Sequence, residues 1–521
     1  MPVVPAPVET ELKFELPSSE VAKLNRVAWL RHGKAAKPAT QVSIYFDTDK
    51  SVLRKNGMTF RVRRIGRRYV QTIKAPDGGL LDRNEWETEL TSGKPDFGAV
   101  RRTALEPLLT KKLRRELRPV FETRVRRKTY PLKVGGSQIE LTLDRGEIGT
   151  SGRSRPLCEI EIELKTGDRA ELFKMARAIA RVTSAELAVK SKAQRGYELL
   201  DGSDGSAAAK ADSVALTPAT ATRHAFALIA ASCVKQVIVN KPALLAGNPV
   251  GVHQMRIGLR RLRAAISLFS DILEQPEKNV IKQELKWLTE ELGPAREFEV
   301  FLTHVVAPAR RHHRRLTGMR RLSSDLAERR RSSDERARNA VRSERFRHLL
   351  LNVATWLEIG EWRHPRVELL RELGDMPIAI SAATQLRRLS KKIRKRGQLL
   401  PKFDQHQRHK LRIQAKKLRY ATDFFEAVFS GKKASKSRKT FLSALEDLQD
   451  RLGDLNDIAV HEDLIADIAN SSAPKAQAKS RPQRAFAAGV LMGHEDARLN
   501  AVLAAAVASC ERFAQAKPFW K

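Results

Sequence analysis

Glu9, Glu11 and Lys13 stand two residues apart, and Glu159, Glu161 and Glu163 repeat the spacing far downstream, just before Lys165. Side chains of a strand alternate between its faces. In an extended chain Glu9, Glu11, Lys13 and Glu15 therefore share one side, while Leu12, Phe14 and Leu16 take the other. Two carboxylates about 4 Å apart repel by roughly 4 kcal/mol at an effective dielectric of 20. Something must neutralise such a face. Oxygen-only ligands suit hard divalent cations, Mg²⁺ or Mn²⁺, which also take phosphate oxygens as ligands.

The same phase recurs between these two sets, and there it includes cations. Arg61 and Arg63 alternate with Phe60 and Val62; Glu85, Glu87 and Glu89 with Trp86, Thr88 and Leu90; Glu140, Thr142 and Asp144 with Leu141 and Leu143. A sheet with one wet side produces this pattern too. Five such strands mixing acidic and basic rows favour a closed barrel with its polar faces inward, where carboxylates beside guanidinium and ammonium groups would hold a metal-bound polyanion. The chemistry these residues permit is metal-assisted phosphoanhydride hydrolysis. Cations acidify a bound water, and Arg and Lys stabilise the transferring phosphoryl group. No Walker loop, dinucleotide fingerprint or nucleophilic triad can be argued from spacing. Gly78-Gly79 and Gly135-Gly136 read as turns between strands.

Glu9-x-Glu11-x-Lys13, Tyr45-Phe46-Asp47-Thr48, the run from Leu53 to Arg63, Gln71 to Lys74, Leu143 to Gly146, Glu161-Ile162-Glu163 and Ser191 to Tyr197 together resemble the CYTH domain of the triphosphate tunnel metalloenzymes. The resemblance implies an eight-stranded antiparallel tunnel. It makes Glu9, Glu11, Glu161 and Glu163 metal ligands, with Glu85, Glu87 and Asp144 as further carboxylates. Lys13, Arg61, Arg63, Lys74 and Lys192 become phosphate contacts, joined by Arg126 and Arg127; Glu9, Glu11 and Lys13 form the catalytic group. Alternatives stay open at three places. The mid-chain pair is Glu85 with Glu87 or Glu87 with Glu89; Glu159 competes with Glu161 and Glu163; and Arg124 and Arg126 lie opposite in phase to Arg127.

From Asp201 to Pro218 small residues dominate and no period persists, which predicts a flexible linker. Beyond it apolar residues recur at helical spacing. Val252 to Leu273 aligns without gaps to Arg408 to Phe429, matching His253 to His409, Arg256 to Arg412, Arg260 to Lys416 and Arg263 to Arg419. A second block follows each copy, so that Leu292-Gly293 corresponds to Leu452-Gly453. Spacings of three and four put each basic set on one helical stripe, where like charges repel unless an anion joins them. Neither histidine has a partner at a metal-ligand spacing, so both read as phosphate donors.

These two copies resemble the CHAD domain, which implies two pseudo-symmetric four-helix bundles whose basic surface binds inorganic polyphosphate. Asn456 stands where copy one has Arg296, and lysines replace two arginines of the stripe region, losing bidentate geometry; copy one is expected to bind more tightly. The expected architecture is α+β: a barrel tunnel with flanking helices over residues 1–201, a linker over 202–218 and an all-α duplicated bundle over 219–515.

The chain has 521 residues and a formal charge of +37, so polyanions are its expected partners. Aromatic residues make up 6%, too few for the stacking platforms of single-strand binders, and no zinc finger or RNA-recognition signature appears; nucleic acid is not an expected partner. Cys158, Cys233 and Cys510 offer no disulfide framework. With no basic, apolar leader and no stretch expected to span a membrane, the chain reads as cytoplasmic, associated with polyphosphate granules. The expected activity is hydrolysis of tripolyphosphate to pyrophosphate and phosphate with Mg²⁺ or Mn²⁺. Two alternatives remain: a non-catalytic polyphosphate-binding protein, and a tunnel acting on nucleotide or thiamine triphosphates or as an adenylate cyclase.

Overall fold

The alternation of charge in the first 170 residues becomes a closed ring of strands. A computed structural model describes residues 8–76, 78–273, 276–313, 316–470 and 481–520. In it β1 (Val8–Glu15), β2 (Ala39–Asp47), β3 (Thr59–Ile65), β4 (Arg68–Pro76), β5 (Asp82–Leu90), β6 (Arg118–Val134), β7 (Ser137–Thr150) and β8 (Arg153–Thr166) pair antiparallel. Their order is β5-β4-β3-β2-β6-β7-β8-β1, and β1 returns to β5. Closure removes the unpaired edges that would otherwise invite further strands. A two-residue strand, β9 (Glu186–Leu187), continues along the edge of β1.

Register decides which side chains meet, because directly opposed residues share a face. Glu11 lies beside Glu163, Lys13 beside Glu161, and Glu163 beside Glu140. Asp144 stands between Arg127 and Glu159, and Lys74 beside Glu85. These form the inner side. The outer side carries buried Leu12, Phe14, Phe60, Val62, Ile73, Leu141, Ile160 and Ile162. Phe46, Phe60, Val62 and Ile73 pack there with Val100, Leu105 and Leu113. The helix Arg169–Val182, whose cap Asp168 accepts the Ala170 N–H at 2.8 Å, lies against β8.

One mouth of the barrel is covered by the helix Lys192–Leu200, which starts with a reciprocal cap between Ser191 and Gln194. Its Ala193, Tyr197 and Leu199 pack on Tyr45, Phe121, Val125, Ile148 and Leu157. Outside the barrel, buried Asp47 accepts the backbone N–H groups of Thr48, Leu53 and Arg54 at 2.7, 2.9 and 3.0 Å and the Tyr197 hydroxyl at 2.7 Å. That single carboxylate ties the covering helix to the turn after β2. The approach is close: a Cβ on Gly196 would lie 2.2 Å from the Phe121 ring.

The chain packs as two units. The first is Met1–Asp212 with Ala231–Met255 and Val341–Arg363, and the second is Ser213–Ala230 with Arg256–Ala340 and His364–Lys521. Residues expected to form a flexible linker have neither helix nor strand from 203 to 217. Part of that stretch is nonetheless fastened: Arg155 donates to the Ser203 carbonyl at 3.0 Å, and the Asn240 amide bonds both the N–H and the C=O of Ala209 at 2.9 and 2.8 Å. Asn240 supplies the partners that an irregular backbone would otherwise seek in water, and neither it nor Arg155 is adjacent in sequence.

The second unit is built from helices and has no strand among its described residues. The helices Pro249–Leu268 and Gln405–Phe424 carry the two repeated stripes. After the first stripe the chain forms two helices, Glu277–Glu291 and Gly293–Phe301, whereas after the second it runs unbroken from Lys432 to Asn470. Pro294 accounts for the break, since it lacks the N–H that a continuous helix needs; copy two has Asp454 there. One sequence expectation needs correction. Residues Thr222–Leu245 form a helical stretch long and apolar enough to cross a membrane, with mean hydropathy 1.3 and 67% of its window buried. A helix apolar all round is also what a protein core produces.

Gly196→Ala tests the covering helix. Its methyl group would overpack the Phe121 contact, and we expect a loss of about 1–3 kcal/mol, read as a lower denaturant midpoint at unchanged slope.

Candidate functional site

The inner side of the barrel brings together most of the residues singled out by spacing, and it does so in opposite-charge pairs. Lys13 lies 2.9 Å from Glu161 and 3.4 Å from Glu11. Lys74 bonds Glu9 and stands 3.2 Å from Glu85, which is 3.6 Å from Arg61. Arg127 donates Nε and Nη2 to the two oxygens of Asp144 at 2.7 and 2.6 Å, a fork-to-fork pair, and reaches Glu161 at 2.7 Å. Arg63 donates to Ser43 at 3.3 Å. From the covering helix, Lys192 enters the barrel and meets Asp144 at 2.7 Å, Glu161 at 3.0 Å and Glu159.

The three open assignments acquire positions. Of Glu85, Glu87 and Glu89, the first is enclosed between Lys74 and Arg61, Glu87 is exposed and accepts from Thr72 at 3.1 Å, and Glu89 is exposed beside Arg68. Glu159 has no solvent exposure and is held by Lys192 and Arg195. Arg127 faces inward. Arg126, grouped with it as a phosphate contact, is exposed on the outer face, as is Arg124. The period of two that places Arg127 beside Asp144 turns both away. Arg195 and Asp47 were missed as site-forming residues. Their signal lay in motifs already noted, but a buried ion pair between residues 159 and 195 leaves no trace in local spacing.

Charge is distributed unevenly along the tunnel. Burial alone would protonate Asp144, yet Lys192 and Arg127 hold it down at about 2; Glu161 is lowered well below the usual carboxylate range because Lys13, Lys192 and Arg127 outweigh the same burial. Burial also opposes the charge on Lys192, but Asp144, Glu159 and Glu161 raise its pKa. Cations are scarcer near Glu163. Burial, with Glu9 and Glu140 close by, pushes its carboxyl up despite the bond from Lys165. Arg63, buried and facing Arg61 and Arg127, is held down at about 10.

The donor set fits a divalent cation. Glu11 Oε1 is buried and accepts no hydrogen bond among the described residues; oxygens of Asp144, Glu159 and Glu161 also lie within 4.8 Å of one another, but Arg127, Lys192 and Arg195 already hold them, and Glu159 is fully taken by the last two. All are hard carboxylate oxygens. Glu9, Glu11 and Glu163, with Glu140 alongside, bring several carboxylates together at one level of the wall, each of the first three beside a basic side chain: Lys74, Lys13 and Lys165.

The helical unit contains a separate cavity of about 1020 Å³, and its lining joins both stripes: Arg256, Arg260 and Arg263 from copy one, His409, Arg412 and Lys416 from copy two. The repeat also places equivalent acids, Glu297 at 3.7 Å from Arg256 and Asp457 at 3.8 Å from Arg412. His409 Nδ1 lies 2.7 Å from the Asn456 amide oxygen. Arg260 Nε and Arg412 Nε are buried with no hydrogen-bond partner among the described residues. Burial together with the neighbouring Arg412, Arg260 and Arg256 holds Lys416 at about 7. Two expected residues lie outside this lining. Arg419 turns to Glu446 at 2.8 Å, and His253 is half-buried one turn before Arg256.

A sequence model of the CYTH domain matches residues 8–197, and one of the CHAD domain matches residues 228–466. An inorganic triphosphatase of Haemophilus influenzae is 29% identical over 160 residues, covering 30% of this chain and 44% of that protein. The chain thus spans less than half the length of this relative. Among solved structures, the CHAD domain from the plant Ricinus communis is 27% identical, covers 58% of this chain and 96% of its own, and has a TM-score of 0.49. A Hippeastrum protein described as having a dominant triphosphatase activity is 19% identical, covers 37% and 96%, and has a TM-score of 0.29.

Arg127→Ala would leave Asp144 and Glu161 buried with fewer cations, at an expected cost of about 3–5 kcal/mol in unfolding free energy. In the intact chain the lowered Asp144 and Glu161 contribute stability that is complete above the unfolded carboxylate range and falls away as pH drops toward about 2. Chemical denaturation from pH 6 to pH 2 measures both.

Proposed function

We propose, since the chain belongs to the CYTH family over residues 8–197 and to the CHAD family over residues 228–466, that its barrel is a metal-dependent inorganic triphosphatase and its helical cavity a binding site for inorganic polyphosphate. The observation that carries the first part is the lining of the tunnel. Lys13, Arg61, Lys74, Arg127 and Lys192 alternate there with Glu9, Glu11, Glu85 and Glu161, all paired within the wall. A short phosphate chain is the ligand that can engage such ammonium and guanidinium groups at once, provided the carboxylates are balanced by cations.

Divalent cations bound at Glu9, Glu11, Glu161 and Glu163 would supply that balance and an acidified water. The chain does the rest. Lys13, Arg61 and Lys74 orient the phosphate oxygens, Arg127 and Lys192 stabilise charge at the covered end, and the apolar cluster around Tyr45 and Phe121 excludes bulk water from that mouth. Tripolyphosphate is cleaved to pyrophosphate and phosphate without a covalent intermediate. The related triphosphatase of Haemophilus influenzae supports this choice of substrate. In the helical cavity, the Nε groups of Arg260 and Arg412 are buried donors without a hydrogen-bond partner among the described residues, which suits a phosphate polymer. We place both activities in the cytoplasm, next to stored polyphosphate.

Phosphate release from tripolyphosphate, ATP and thiamine triphosphate, each with and without Mg²⁺ or Mn²⁺, tests the assignment. Tripolyphosphate with metal is expected to lead; preference for either organic triphosphate, or no release at all, would replace it. Glu11→Ala should abolish turnover and leave polyphosphate binding intact, whereas Arg256, Arg260 and Arg412 changed together to alanine should do the reverse. Because Lys416 is held at about 7 and a polyanion prefers its charged form, polyphosphate affinity should rise as pH falls from 8 to 6. Titration calorimetry reads that trend, and Lys416→Arg together with Lys417→Arg, the neighbouring lysine held at about 8 in the same cavity, should flatten it.

A further inference from the structure

We infer that Glu159 and Arg195 are positioning residues, a clamp that fixes where the Lys192 ammonium meets the substrate, and that Glu159 is not a ligand of the metal. This rests on the triphosphatase reading of the tunnel. Lys192 and Arg195 are three residues apart on the covering helix, so they project from one face. Both end on Glu159: Lys192 takes Oε1 and Arg195 takes Oε2. The carboxylate has no solvent exposure, and a metal could reach it only by displacing one of these two cations.

Arg195 is itself enclosed, with 9% side-chain exposure, and its second nitrogen lies 3.4 Å from Glu15. Nothing routes Arg195 toward the tunnel interior; Lys192 alone continues to Asp144 and Glu161. The division of labour follows from register. Glu159 sits opposite Asp144 on β7 and Glu15 on β1, at the level of the covering helix, while Glu161 and Glu163 lie progressively farther from it. The three glutamates of one strand face thus serve different ends, the first holding the helix and the others facing substrate and metal. A freely swinging lysine would have to be ordered anew at each binding event, so the clamp acts on affinity.

The test uses the full chain and a double-mutant cycle on Glu159→Gln and Arg195→Ala, with Arg195→Lys as the milder variant. Tripolyphosphate hydrolysis gives KM, kcat and the metal concentration for half-activation; metal-free calorimetry gives tripolyphosphate affinity. Each single variant is expected to raise KM and weaken affinity about tenfold, with kcat and metal requirement unchanged. The double variant should be no worse than either single one. Arg195→Lys, which keeps charge but not the fork, should fall between. A shifted metal requirement in Glu159→Gln alone, additive effects, or an unchanged affinity in Arg195→Lys and Glu159→Gln would overturn the clamp. A wild-type chain that binds tripolyphosphate but releases no phosphate would overturn the hydrolase reading, and the affinity pattern would still decide the clamp.

Discussion

Charge compensation inside a wall of paired strands is the constraint on which the barrel depends. Burying one ion costs several kcal/mol even after relaxation, and only a well-placed partner offsets it. The sequence meets this by offsetting acidic and basic rows on neighbouring strands, so that register alone brings Lys13 to Glu161, Arg127 to Asp144 and Lys74 to Glu85. The arrangement is mutual. Asp144 and Glu161 raise the pKa of Lys192, Lys192 lowers theirs, and each depends on the others staying charged. At Glu163, burial together with Glu9 and Glu140 outweighs Lys165, and the carboxyl pKa rises. The wall is thus balanced at one level and more acidic at another.

The helical cavity solves the opposite problem. The charged residues of its lining are mainly cationic, and single acids stand beside Arg256 and Arg412 at equivalent places in the two copies. Burial pushes Arg256 down to about 10, with Arg260, Arg296 and Arg412 adding to the effect against Glu297. The two positions where duplication exchanged arginine for lysine, Lys416 opposite Arg260 and Lys417 opposite Arg261, both line the cavity and hold groups able to shed a proton near neutrality, at about 7 and about 8. Divergence between the copies therefore changed the proton chemistry of the cavity while leaving the stripe geometry in place.

Much of this was legible before any coordinates. A period of two assigned the inward faces of β1, β3 and β8 correctly, because a slip of one residue would have put Leu12 and Ile162 inside and the carboxylates outside. The gapless repeat located both stripes, since duplicated helices conserve spacing. What sequence could not supply were contacts between distant positions. The end point of Arg195 on Glu159, the Asp47 bond to Tyr197 and the fastening of residues near 209 by Asn240 all join segments whose separation carries no periodic signal. Sequence already set Arg124 and Arg126 opposite in phase to Arg127 but left open which face is inner; pairing with Asp144 puts Arg127 there. Arg419 fitted the stripe by spacing, but Glu446, from another helix, draws it elsewhere.

The helix beginning at Lys192 makes the barrel a blind channel. Tyr197, anchored by Asp47 and pressed on Phe121, stands where a through-passage would open. On the triphosphatase reading, a linear phosphate chain enters tip first and its products leave by the same mouth.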